Sequence, residues 1–61
     1  MGLTIAALPA FNEEANIAKL VLQTQQYVEK VVVVDDGSTD MTAAIAERLG
    51  AHVVQHPKNR R

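Results

Sequence analysis

Val31-Val32-Val33-Val34 restricts this chain more than any other segment. Four consecutive β-branched residues favour an extended strand. No polar residue alternates with them, so both faces of the pleat are apolar. A strand of that kind suits the centre of a parallel sheet covered on both sides.

The segments around it have matching periods. Residues 3–8 are apolar apart from Thr4 and are closed by Pro9, which predicts a first buried strand. Asn12 offers a helix N-cap, and Glu13 and Glu14 place negative charge at the positive end of a helix dipole. Ile17, Leu20, Val21, Thr24 and Val28 then recur at helical spacing, with Asn16, Lys19, Gln23 and Gln26 on the opposite side. A helix near 13–26 is expected. After the valines, residues 35–40 (Asp-Asp-Gly-Ser-Thr-Asp) form a turn cluster in which Ser38, Thr39 or Asp40 can start the next helix. Met41, Ile45, Ala46 and Leu49 make the apolar stripe of that helix, expected near 40–49, while Glu47 and Arg48 face outward. Gly50 stands where a left-handed stop belongs. Residues 51–55 read as a third strand ended by Pro57.

The order strand, helix, strand, helix, strand predicts a parallel α/β sheet, because such crossovers are right-handed in ~98% of cases. In the order 3-2-1 both helices fall on one face. The other face is then bare, although half of the valine side chains must point into it, and the first strand keeps an open edge. The whole chain, residues 1–61, therefore reads as a single partial domain, the first half of a larger α/β domain. Its size agrees, since a chain of 61 residues buries only ~60% of its unfolded surface and is marginal alone. There is no Cys, which excludes disulfides and thiolate zinc sites and fits a cytoplasmic chain. An apolar share of 48% is too high for a disordered segment. Six basic against seven acidic residues give a net charge of −1, so no field draws nucleic acid or an anionic membrane. No apolar run approaches the ~20 residues of a membrane span, and residues 1–6 lack the basic start of a secretory signal.

Ligands of open parallel sheets bind beyond the carboxyl ends of the strands. Residues 9–14 and 35–40 both lie there, each before a helix N-terminus suited to an anion. Phe11, the single Phe of the chain, falls in a loop, where its ring can stack on a planar base. An ionised carboxylate at Asp36 can accept the imino N–H of uracil or guanine. His52 and His56 share a strand face but lack a third ligand for a metal. Glycines at 2, 37 and 50 make neither a G-x-G-x-x-G fingerprint nor a P-loop.

Residues 8–14 (Leu-Pro-Ala-Phe-Asn-Glu-Glu), the valines and residues 35–40 together resemble the opening of family 2 glycosyltransferases, above all the polyprenyl- or dolichol-phosphate sugar transferases. Residues 46–51 and the His56-Pro57-x-Asn59-Arg60 pattern are similar as well. The resemblance implies the N-terminal half of a GT-A fold, a Rossmann-like architecture. It also implies sugar transfer from a uridine- or guanosine-diphosphate donor to an acceptor such as a polyprenyl phosphate. On it, Phe11 takes the place of an aromatic, commonly Tyr, that packs on the base. Pro9 and Glu13 line the nucleoside pocket, Asp36 reads the base, and Gly37 and Ser38 continue that loop. Arg61 stands where the family pattern has Gly. The full-length family enzyme is expected to use a divalent metal, Mg or Mn, held by an Asp-x-Asp, and a carboxylate base. No Asp follows Asp40, so the Asp-x-Asp is not carried here, and the resemblance implies that the base lies farther on than these residues. The chain is expected to supply the nucleoside pocket, to be inactive alone, and to bind no metal through its own residues. Its partners are then the nucleotide-sugar and whatever covers the bare face, a C-terminal half or a second copy. The full-length enzyme is expected in the cytoplasm or at the cytoplasmic membrane face. A stand-alone nucleotide-binding or interaction module is the competing reading. A phosphoacceptor receiver fits poorly, because its acidic pair follows the first strand and its acceptor Asp follows the third.

Overall fold

The computed structural model describes residues 3–56. Five elements follow in order: β1 (Ile5–Ala10), α1 (Ile17–Gln25), β2 (Lys30–Asp35), α2 (Thr42–Arg48) and β3 (His52–Gln55). The strands form one parallel sheet in the order β1-β2-β3, as the crossover rule requires. The strand end expected at Pro57 and the Asn59-Arg60 match, with Lys58 and Arg61, lie outside the described residues.

Registers of Leu8 with Val33 and Val33 with Val53 set one apolar row across the sheet. That row faces the helices. Val31, Val33 and Ala10 are buried with Ile17 and Val21 of α1 and Ala46 of α2, and Leu8, Ile45, Leu49 and Val53 pack around them. Both helices therefore cover the same face. On the opposite face stand Ile5, Ala7, Pro9, Val32, Val34, His52 and Val54, none of them fully buried. The central strand is thus covered on one side within the described residues, and its second apolar face is open.

The bounds of β1, α1, α2 and β3 differ from expectation, β3 by starting one residue later, at His52. β1 starts two residues later and runs through Pro9, because an edge strand tolerates a residue without an N–H. α1 begins at Ile17 instead of near 13: the N–H groups of Asn12, Glu13 and Glu14 donate to side chains of residues 38–42. The first turn opens instead with the N–H groups of Asn16 and Ile17 both donating to the Glu13 carbonyl. α2 is likewise shorter than the stretch 40–49. Two residues given to apolar stripes, Leu20 and Met41, are exposed. Leu20 lies at the margin of the stripe centred on Ile17 and Val21, and Met41 precedes the first turn of α2.

Gly50 behaves as its position requires. At φ 97 it closes α2, with the Gly50 N–H donating to the Glu47 carbonyl and the Ala51 N–H to the Ala46 carbonyl. This paired pattern returns the chain directly into β3 with Ala51 buried against the core. The Gln25 side-chain amide donates to the Leu49 carbonyl at 2.9 Å and ties the two helix ends together.

Candidate functional site

At the carboxyl ends of β1 and β2 the two loops lie side by side. The Asp36 N–H donates to the Ala10 carbonyl at 2.9 Å, extending the strand pairing by one residue and setting Asp36 beside the start of the Phe11 loop. Phe11 is 55% exposed, so its ring is open to a stacking partner. Asp36 is exposed too, and its carboxylate lies 3.9 Å from Nδ1 of His56. The His56 N–H donates to the Asp35 carbonyl, so the end of β3 reaches the same rim.

Beneath this rim the loops are joined by an exchange of hydrogen bonds. Asn12 has φ 50, a left-handed conformation that Asn tolerates better than most residues. Its N–H donates to Ser38 Oγ at 2.8 Å, and its side-chain Oδ1 accepts the Thr39 N–H at 2.9 Å. The Glu13 N–H donates to Thr42 Oγ1 at 2.8 Å, and the Thr42 hydroxyl in turn donates to the Asp40 carboxylate. Asp40 also accepts the N–H groups of Thr42 and Glu14. Glu14 answers with Oε1, which accepts the Met41 N–H just before α2. Asn12 and Glu14 therefore do not cap the helix that follows them. They serve the loop and helix across from them, because their own helix starts only at Ile17.

Two polar side chains support this arrangement from inside. Asp35 is fully buried at the end of the covered face; its Oδ1 accepts the Ser38 N–H and its Oδ2 faces the Gln55 amide at 3.4 Å. Thr42 is fully buried and both gives and takes a hydrogen bond. No buried side-chain polar atom among the described residues lacks a partner. The Asp40 carboxyl is held below its ordinary 3.8, first by the Thr42 hydroxyl, against a smaller desolvation effect, and then by the backbone N–H groups of Thr42 and Glu14.

The residues singled out in the sequence take distinct places. Phe11, Asp36, Gly37 and Ser38 gather on the two adjoining loops, with Gly37 at φ 85 making the bend between Asp36 and Ser38. Glu13 is half-buried beneath them. Pro9 belongs to the open sheet face, in register with Val34. His52 is on that face as well, in register with Val32. Among the described residues no three His, Cys, Asp or Glu converge to hold a metal ion. Sequence reading missed Thr42, whose helical spacing with Ile45, Ala46 and Leu49 was the available signal. It also missed the bridging part played by Asn12.

Residues 6–61 match the profile of Glycosyl transferase family 2. An uncharacterised glycosyltransferase of Rickettsia felis is 50% identical over 46 residues, 75% of this chain and 16% of that protein. The 4,4'-diaponeurosporenoate glycosyltransferase of Staphylococcus aureus is 47% identical over 49 residues, 77% of this chain and 13% of that protein. Among solved structures, glucosyl-3-phosphoglycerate synthase of Mycobacterium tuberculosis, in complex with Mn2+, uridine-diphosphate-glucose and phosphoglyceric acid, superposes with a TM-score of 0.75. It is 41% identical; the match covers 88% of this chain and 21% of the synthase. The chain thus spans a minor part of the length of each of these relatives.

Proposed function

Because the chain belongs to glycosyl transferase family 2, with the three-stranded parallel part of a GT-A fold, we propose that it forms the nucleoside pocket of a sugar transferase. One observation carries this reading: the loops after β1 and β2 are held together with the Phe11 ring and the Asp36 carboxylate both exposed at the same rim. The ring offers a stacking face and the carboxylate an acceptor for an imino N–H. Glu13, Gly37 and Ser38 shape the floor, and Pro9 borders it from the strand end. A uridine-diphosphate sugar is the preferred donor, supported by 41% identity to a synthase crystallised with uridine-diphosphate-glucose; a guanosine-linked donor has the same chemical handles. The acceptor is proposed to be a polyprenyl phosphate, and the transfer to occur on the cytoplasmic side. No helix among the described residues is long and apolar enough to cross a membrane.

The synthase structures hold Mn2+ or Mg2+ with uridine diphosphate. The residues described here do not fit such an ion: no three His, Cys, Asp or Glu converge among them, and the His56–Asp36 contact has two groups. The described residues are accordingly proposed to bind donor nucleotide without transferring sugar by themselves. The open sheet face is proposed to be covered by further polypeptide of the same protein or by a second copy.

Titration of the chain with uridine diphosphate and guanosine diphosphate, followed by amide chemical shifts, tests the pocket. Shifts are expected at residues 11–13 and 36–38, and Phe11→Ala should weaken binding by about 1–3 kcal/mol, the usual worth of a stacked base. Shifts confined to residues 52–56, with Phe11 and Asp36 silent, would overturn the reading.

A further inference from the structure

Beside the backbone bond from the Asp36 N–H to the Ala10 carbonyl, the two loops are joined by bonds that involve side chains. Of these, the ones made by Asn12 differ from the rest in what they flank. The pairs Glu13–Thr42, Glu14–Asp40 and Glu14–Met41 lead into the start of α2. Asn12 follows Phe11 directly and is bonded to Ser38 and Thr39, two and three residues beyond Asp36. Its left-handed backbone, φ 50, is a conformation that persists only where the surroundings hold it. Here they hold it at both ends of the residue, through the N–H and through the side-chain oxygen.

We propose that Asn12 is a positioning residue, which sets the Phe11 ring against the Asp36 carboxylate by clamping both flanks at once. The inference rests on the nucleoside-pocket reading and deepens it. Asn12 need not touch the ligand, since both of its bonded groups face the second loop. Without the clamp each loop keeps its own anchor: Asp35 still takes the Ser38 N–H, and Thr42 still takes the Glu13 N–H. The fold therefore survives, and the Asp36 N–H still donates to the Ala10 carbonyl on the near side of Phe11. The tie on the far side of the ring through the Asn12 side chain is lost, however, and the ring is held less closely to the carboxylate. A ligand must then supply the ordering itself, and affinity falls.

Two substitutions separate backbone from side chain. Asn12→Gly keeps the left-handed backbone without strain and deletes the acceptor for Thr39, whereas Asn12→Asp keeps an acceptor oxygen. For Asn12→Gly, uridine diphosphate affinity should drop about tenfold, the factor attached to one net hydrogen bond. Binding of inorganic pyrophosphate, which has no base, should not change. Hydrogen exchange at the Thr39 amide should quicken, and Asn12→Asp should restore both readouts. Equal losses for uridine diphosphate and pyrophosphate, or a lower unfolding midpoint with unchanged affinity, would reduce Asn12 to a structural clamp and overturn the inference. If uridine diphosphate binds through Phe11 and Asp36 but ignores Asn12→Gly, this inference fails and the pocket stands. If Phe11→Ala and Asp36→Ala leave binding untouched, the pocket reading fails first and takes this inference with it.

Discussion

The two faces of the sheet are built from alternate residues of the same three strands, yet they meet different surroundings. Val33 points into the helices and is fully buried, while its neighbours Val32 and Val34 point the other way and are half-buried by adjacent strands alone. Composition does not separate the faces, because valine occurs on both. What separates them is the hand of the crossovers, which sends α1 and α2 to the same side. The lesson is that apolar character states a need for cover without saying whether the same segment provides it.

The strongest way to break the comparison is to put a charge on each face in turn. Val33→Asp should leave the chain unfolded, since an unpaired buried charge costs several kcal/mol and the whole stability of a small domain is of that order. Val34→Lys should leave it folded. Circular dichroism in buffer distinguishes the two, and a folded Val33→Asp chain would contradict the burial described. Asp35→Ala comes next. It leaves the Ser38 N–H without its acceptor at a part-buried position, which should cost about 1–3 kcal/mol in urea unfolding and loosen residues 36–38.

A smaller and sharper contrast uses one substitution at adjacent residues. Val33→Thr buries a hydroxyl and should cost about 1–3 kcal/mol, whereas Val34→Thr can keep its hydroxyl hydrated and should stay within about 0.5 kcal/mol. Equal urea midpoints would mean that the second face is covered after all. Sedimentation equilibrium gives the complementary reading. If the open face drives association, Val34→Lys should lower the fraction of dimer or larger species, and an unmodified chain that is wholly monomeric and melts cooperatively would show the face tolerates water.

The smallest expected effect concerns acid. The folded state holds Asp40 below its ordinary 3.8, so near that value the unfolded chain binds more protons than the folded one. Asp40's contribution is therefore complete above 3.8 and is lost as pH falls through the lower folded value. Comparing urea midpoints at neutral pH and below 3.8 should show a larger drop for the unmodified chain than for Asp40→Asn. An identical drop in both would remove Asp40 from the acid response.

Much of this was legible before any coordinates. Strand and helix identities follow from the valine run and from the spacing of Ile17, Val21 and Ala46, since burial imposes a period of two or of 3.6 on whichever segment meets the core. Gly50 was readable as a helix stop because few other residues accept its backbone. The loops were less legible. Asn12 and Glu14 carry the signature of helix caps, and local propensity alone assigns them to the helix that follows. The structure gives their hydrogen bonds to residues 26 and 27 positions away.

By itself the sequence determined the order of elements, the parallel pairing and the one-sided placement of the helices. Each of these depends on side-chain period and backbone chirality, which are local properties repeated along the chain. Only the tertiary structure decided that α1 waits until Ile17, that Asn12 turns left-handed, and that Thr42 and Asp40 receive the backbone donors of the first loop. The reason is that Asn, Asp, Ser and Thr can satisfy backbone groups near or far at similar cost. Which partner they take is settled when the β1–β2 pairing brings residues 11–14 and 36–42 to the same end of the sheet.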